Sequence, residues 1–130
     1  MVPARWKIGA ALCVALVVAV SARASTPSLA QIEARVGRLE ALLGQAHFRE
    51  AAVAAPAVRS LVLALPPSAA TRQLLVRAEV VAGTAALALR QQGTAQVCFL
   101  RALQLEPALK LPPSTPPKVQ RTLDSVREAP

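Results

Sequence analysis

Residues 76–109 read VRAEVVAGTAALALRQQGTAQVCFLRALQLEPAL, and their order of small, large and helix-ending residues is that of two packed helices. Gly83 and Ala95 lack bulk, so two antiparallel helices can approach to within roughly 8–10 Å of each other. Phe99 then fills the space between the helices. Pro107 ends the second helix, because it has no N–H group and its ring clashes with the preceding turn. The stretch therefore predicts a helical hairpin that closes near Pro107.

This hairpin resembles the tetratricopeptide repeat, whose signature runs Trp, Leu-Gly, Tyr, Ala, Phe and a closing Pro. The positions in register with it are Gly83, Ala95, Phe99, Ala102 and Pro107. The chain departs from the signature at Glu79, Ala82 and Ala86, where Trp, Leu and Tyr would stand. The resemblance implies an all-α fold of antiparallel helical hairpins, with about two repeats and a short C-terminal helix. The alternative is an Ala- and Leu-rich hairpin that matches by composition alone.

The region before this hairpin predicts a weaker, degenerate hairpin. A first helix is expected over about residues 27–43, because Ser28 and Gln31 have capping-box spacing and Gly44 suits its end. Its apolar residues recur at three and four positions, as one buried face requires: Leu29, Ile32, Val36, Leu39 and Leu43. A second helix is expected over about residues 48–65, with a kink or a late start at Pro56.

Capping residues and helix-breaking residues predict the remaining helices. Ser68 is the expected cap of a third helix over about residues 69–91. Gly93 and Thr94 suit a turn, so a fourth helix is expected over about residues 95–105. A proline-rich loop follows, and a short helix over about residues 118–127 should cap the exposed end of the repeat. The domain regions are thus 25–110 for the repeat and 111–130 for the loop and capping helix.

Residues 1–24 have the form of an export signal. Arg5 and Lys7 precede an apolar run, and the run ends at Ala22-Arg23-Ala24, a small-x-small cleavage pattern. The run is shorter than the roughly 20 residues of a membrane-spanning helix. We therefore expect cleavage after Ala24 and an exported, periplasmic location, with a retained anchor as the alternative.

Charge and aromatic content limit the classes of partner. The chain carries 15 Lys and Arg against 7 Asp and Glu, and the basic residues outside the signal are single, as on a solvated helix face. Beyond the signal, only Phe48 and Phe99 are aromatic, so there is no stacking platform for a single-stranded nucleic acid. We expect no nucleic-acid partner, and anionic lipid or wall groups are the weaker possibility.

The sequence contains few of the residues and motifs that enzymes use for catalysis. The chain has no Tyr and one His, and it lacks a Gly-rich phosphate loop, a CxxC pair and an HExxH motif. Its glutamates, Glu79 included, are expected singly on helix surfaces, and Cys98 is expected to be a small buried hydrophobe. We expect no enzyme activity, no cofactor and no metal site. A small hydrolase or redox protein that uses Cys98 or His47 is the remaining alternative.

What remains is recognition of another protein. In the tetratricopeptide family the first helix of each repeat lines a concave surface that receives a peptide or a helix. Carried onto this sequence, the partner-binding residues would be Arg77, Val80, Thr84 and Leu87, with Glu33 and Glu40 in the degenerate repeat. The expected function is a non-catalytic adaptor or accessory subunit of a bacterial cell-envelope assembly. Because about two repeats leave apolar surface uncovered, self-association is also expected to be possible.

Overall fold

The computed structural model describes residues 27–129, which fold into five helices packed as sequential antiparallel neighbours. The helices are α1 (Leu29–Gly44), α2 (Phe48–Leu63), α3 (Ala69–Ala88), α4 (Gln92–Leu105) and α5 (Pro117–Glu128). The all-α prediction is therefore confirmed. The predicted signal over residues 1–24 lies outside the described residues. Within 27–129, none of the helices is both long and apolar enough to cross a membrane.

Two serine caps begin α1 and α3 as the sequence predicts. The Ser28 hydroxyl accepts the Gln31 N–H at 3.3 Å, and the Gln31 carboxamide accepts the Ser28 N–H at 2.8 Å. Ser68 and Thr71 repeat the arrangement, with distances of 3.1 and 2.8 Å. These bonds satisfy N–H groups that the first turn of a helix leaves without an intrahelical partner.

The turn between α3 and α4 differs from the prediction, because Gly93 and Thr94 lie inside the first turn of α4. The chain reverses earlier, at Arg90, which takes a left-handed backbone with φ of 61°. The Gln91 N–H donates to the Ala86 carbonyl at 2.8 Å and so satisfies one of the last carbonyls of α3. This hydrogen-bonded end fixes the turn, and the favourable cap residues that follow it are not used as caps.

The turn between α1 and α2 repeats the same geometry. Ala46 has the same φ of 61° as Arg90, and the His47 N–H donates to the Leu42 carbonyl at 2.9 Å. From this turn α2 begins at Phe48 and continues through Pro56, so the late start considered for this helix is wrong. Pro56 itself is exposed.

The core consists of two clusters that share α3. The first lies between α1, α2 and one side of α3, and the second joins another side of α3 to α4 and α5. Phe99 is fully buried in the second cluster, and a Cβ atom placed on Gly83 would lie 2.9 Å from its ring. The predicted contact of Phe99 with a small residue of the facing helix is thereby confirmed.

The C-terminal segment covers the end of the second cluster. Leu109 of the loop and Val119 and Leu123 of α5 are buried against α3 and α4. Arg127 of α5 donates a hydrogen bond to the Leu109 carbonyl, which ties the helix back to the start of the loop. This segment therefore belongs to the same core as the second hairpin.

Candidate functional site

Helix α3 is enclosed on several sides, because α1, α2 and α4 all pack against it. Side chains three and four positions apart share one face of a helix. Arg77, Val80 and Thr84 therefore share one face of α3, while Glu79, Ala82 and Ala86 share the opposite face. Each face lines a separate depression in the surface of the molecule.

The first depression, which we call the tail groove, lies between α1, α3 and residues 109–119. Its volume is about 600 Å³. Three of the four predicted partner-binding residues line it together, namely Arg77, Val80 and Thr84. Most other lining side chains are apolar: Leu43, Phe48, Val76, Val81, Leu109, Leu111, Pro112, Pro116 and Val119. The groove is thus an apolar trough with a few polar groups along one side.

An ion pair connects the two helices that line this groove. Arg77 donates two hydrogen bonds to the Glu40 carboxylate, from Nη2 at 2.5 Å and from Nε at 3.2 Å. Both side chains are partly exposed, so solvent screens the pair and it contributes little to stability. The hydrogen bond to Glu40 raises the pKa of Arg77, and partial burial acts against it. The pair fixes the orientation of two charged groups that the sequence analysis had named separately.

The other predicted binding residues behave differently from one another. The Thr84 hydroxyl donates to the Val80 carbonyl at 2.8 Å, so its hydrogen is used within α3. Glu33 is exposed and does not line the tail groove. Leu87 is only 3% exposed and packs in the second core cluster. Arg77, Val80 and Thr84 are therefore partly accessible at the surface, whereas Leu87 lies in the core.

The second depression, which we call the α2–α4 cleft, contains a buried charged residue, Glu79. Glu79 was expected on a helix surface, but it is only 1% exposed. Arg59 of α2 donates to its Oε1 atom at 3.2 Å, and Arg101 of α4 lies 3.8 Å from its Oε2 atom. Both guanidinium groups come from other helices, so no spacing within α3 reveals them. The available signal was that Glu79 shares a helix face with Ala82 and Ala86.

Cys98 and His47, the residues of the catalytic alternative, lie in different surroundings. Cys98 is buried beside the cleft. Burial raises the pKa of its thiol and the charge of Glu79 raises it further, while Arg101 and Arg59 act in the opposite direction. The thiol is thus held in its protonated, less nucleophilic form. His47 lies on the surface, where Nδ1 is 3.1 Å from Glu50 Oε1.

Among residues 27–129, no group of three or more His, Cys, Asp and Glu side chains is placed to hold a metal ion. No protein-family model matches the chain, and no curated protein or solved structure matches it either. The two depressions are therefore the features of the molecule that bear on its function.

Proposed function

We propose that this protein is a non-catalytic interaction module, an adaptor or accessory subunit of a bacterial cell-envelope assembly, which binds a protein partner in the tail groove. The observation that carries the proposal is the meeting of Arg77, Val80 and Thr84 along one open groove. Apolar concave surfaces with a few placed polar groups are the usual form of binding sites. The tail groove has this composition.

The groove selects for a partner segment of particular chemistry. Its walls are mainly aliphatic and proline side chains, so the segment must present apolar residues along one side. Glu40 and Arg77 neutralise each other across the groove. Lys110 therefore leaves a positive charge at the tail side, where an acidic residue of the partner would fit. The expected partner segment is amphipathic, with an apolar face and an acidic residue near one end.

The tetratricopeptide assignment belongs to this proposal. It is supported by the position of α1 and α3, the first helices of the two hairpins, on the same groove. The two hairpins are farther apart in sequence than repeats of this family usually are. Their equivalent turn residues, Ala46 and Arg90, lie 44 positions apart, whereas repeats of this family recur about every 34 residues. Export, cleavage after Ala24 and a periplasmic location rest on residues 1–24 and remain proposals of the same kind.

A second candidate function is attachment to an anionic membrane or wall surface. It is favoured by Arg35 and Arg38, which are exposed on α1 and line one open hollow between α1 and α2. Attachment of this type depends on screened charge, so it should weaken steeply as salt rises. Binding in the apolar tail groove should not.

Photo-crosslinking in the producing cells tests the proposal. The full chain would carry a photo-crosslinking amino acid at Thr84, inside the tail groove, or at Gln73, which is exposed on the same helix but outside the groove. We expect irradiation to join one defined protein to position 84 and not to position 73. Val80→Asp or Leu111→Asp, each placing a charge on the apolar wall, should remove the adduct in folded protein.

Two results would contradict the proposal, and a third would favour the second candidate function. Equal labelling from positions 84 and 73, or an adduct that survives both charged substitutions, would contradict a site in the tail groove. Recovery of lipid or wall material that high salt releases would favour the surface-binding function instead.

A further inference from the structure

Glu79 in the α2–α4 cleft is a buried acid that is only half satisfied. Its side chain is 2% exposed. Oε1 accepts a hydrogen bond from Arg59, but Oε2 has no hydrogen-bond partner among residues 27–129. Arg101 Nη1 is 3.8 Å from Oε2, which is an ion-pair distance and too long for a hydrogen bond. One strong acceptor therefore faces the cleft without a donor.

A buried acceptor without a donor costs free energy, and native proteins leave few of them. A ligand that supplies the donor would therefore gain affinity. The side chain of Arg101 is 47% exposed, so it can turn aside and open a path to Oε2. The unpaired oxygen thus indicates the first property of a ligand, which is an N–H or O–H group.

The charges around Glu79 restrict the ligand further. Arg59 and Arg101 together carry two positive charges against the one negative charge of Glu79, so an ammonium or guanidinium ligand would be repelled. The donor must be uncharged. The two guanidinium groups also hold N–H groups beyond the single bond from Arg59 to Glu79. These need an acceptor, and an amide offers an uncharged donor and an acceptor side by side.

The shape of the cleft favours an amide in a peptide backbone. Its floor and walls include small side chains, which let a backbone approach closely: Ala52, Ala55, Ala82, Ala86 and Gly93. The cleft has a volume of about 560 Å³, and a further hollow of about 400 Å³ is lined by the same three charged residues, Arg59, Glu79 and Arg101. An elongated ligand can therefore pass across Glu79.

We propose that the α2–α4 cleft binds an extended peptide segment of a protein, in which one backbone amide donates its N–H to Glu79 Oε2 and its carbonyl accepts from Arg101. This site lies on the opposite face of α3 from the tail groove and uses none of the residues that line that groove. The two sites can therefore be tested independently.

Peptide selection on the full chain provides the test. Random ten-residue peptides displayed on phage would be selected against the protein, and their dissociation constants would be measured with synthetic peptides blocked at both ends. We expect Glu79→Gln and Arg101→Ala to weaken binding at least tenfold. Arg121→Ala, which removes an exposed arginine of α5, should change it less than twofold. Thermal unfolding shows whether each variant is folded.

Methylation of the peptide gives a second measurement on the unaltered protein. N-methyl groups placed one at a time along a selected peptide remove single N–H donors. We expect one position at which methylation weakens binding at least tenfold with the unaltered protein, and a much smaller loss at that position with Glu79→Gln. This result does not depend on the folding of any variant other than Glu79→Gln.

Four results would overturn the proposal. They are failure to select any peptide, equal affinity for Glu79→Gln and the unaltered protein, binding that tolerates every N-methyl group, and peptides whose affinity depends on Val80→Asp instead of Glu79→Gln. The last result would assign the selected peptides to the tail groove and leave the proposed function intact.

Discussion

The two hairpins, α1–α2 and α3–α4, have turns of the same geometry, but they differ in which helix supplies the large side chain of the interior. Counted from the common turn, Leu39 and Ala55 of the first hairpin correspond to Gly83 and Phe99 of the second, and all four are buried. In the first hairpin the large side chain comes from the first helix, and in the second it comes from the second helix. Positions that are equivalent relative to the turn are therefore buried in both hairpins, while either helix can supply the larger side chain.

The hairpins also differ in what covers them. Leu109, Val119 and Leu123 of the C-terminal segment close the second hairpin. The α2 helix of the first hairpin leaves Val53 at 75% and Leu63 at 63% exposed, whereas Val97 and Leu100 of α4 are each 46% exposed. Self-association through such apolar surface remains a prediction. The difference shows that the tail stabilises one hairpin and, with α1, also forms the walls of the tail groove.

The largest expected effect comes from Phe99, the residue on which the second hairpin is built. Phe99→Ala should lower the free energy of unfolding by about 3–5 kcal/mol, because removal of the ring leaves a cavity in a fully buried site. Phe48→Ala, in the first hairpin, should cost less than half as much, since Phe48 is only partly buried. Urea unfolding of both variants measures this. Equal losses would contradict the difference between the hairpins.

Glycine substitutions should show opposite signs in the two hairpins. Gly83→Ala places a methyl group 2.9 Å from the Phe99 ring and should cost about 1–3 kcal/mol. Gly37→Ala, in α1, meets no atom within 4 Å and should stabilise by about 0.5–1 kcal/mol through helix propensity.

A double substitution separates the two contributions at Gly83. In a Phe99→Ala background the ring is absent, so Gly83→Ala should no longer destabilise the protein. Chemical unfolding of the single and double variants gives the coupling. A penalty that persists without the ring would mean that Gly83 does not accommodate Phe99.

The smallest expected effect tests what the hairpins share. Ala46→Gly and Arg90→Gly each relieve a left-handed residue, but glycine also gains freedom in the unfolded chain. We expect each change to stabilise by at most about 1 kcal/mol, with the two values within about 0.5 kcal/mol of each other. Thermal unfolding of the two variants measures these changes in stability. Changes of opposite sign would show that the two turns are not equivalent in energy.

Local rules predicted much of the fold. The caps at Ser28 and Ser68 and the burial of Ile32, Val36 and Leu39 follow from patterns within a few residues. Leu29, predicted on the same buried face, is instead 40% exposed. The turn at Gly93 was predicted wrongly, because good cap residues do not end a helix whose hydrogen bonds close earlier at Arg90. The resemblance to a repeat family named Arg77, Val80 and Thr84 together, and the structure places all three along one groove. Binding of a partner there remains a prediction.

The sequence by itself determined an all-α chain, the beginnings of α1 and α3 and the residues that fill the second hairpin, because hydrogen bonds and apolar periodicity act over one or two helical turns. Only the tertiary structure decided that Glu79 and Leu87 are buried and that Arg59 and Arg101 meet at one carboxylate. The physical reason lies in α3. It is apolar nearly all round and covered by three helices, so no periodicity in its sequence separates an exposed face from a buried one.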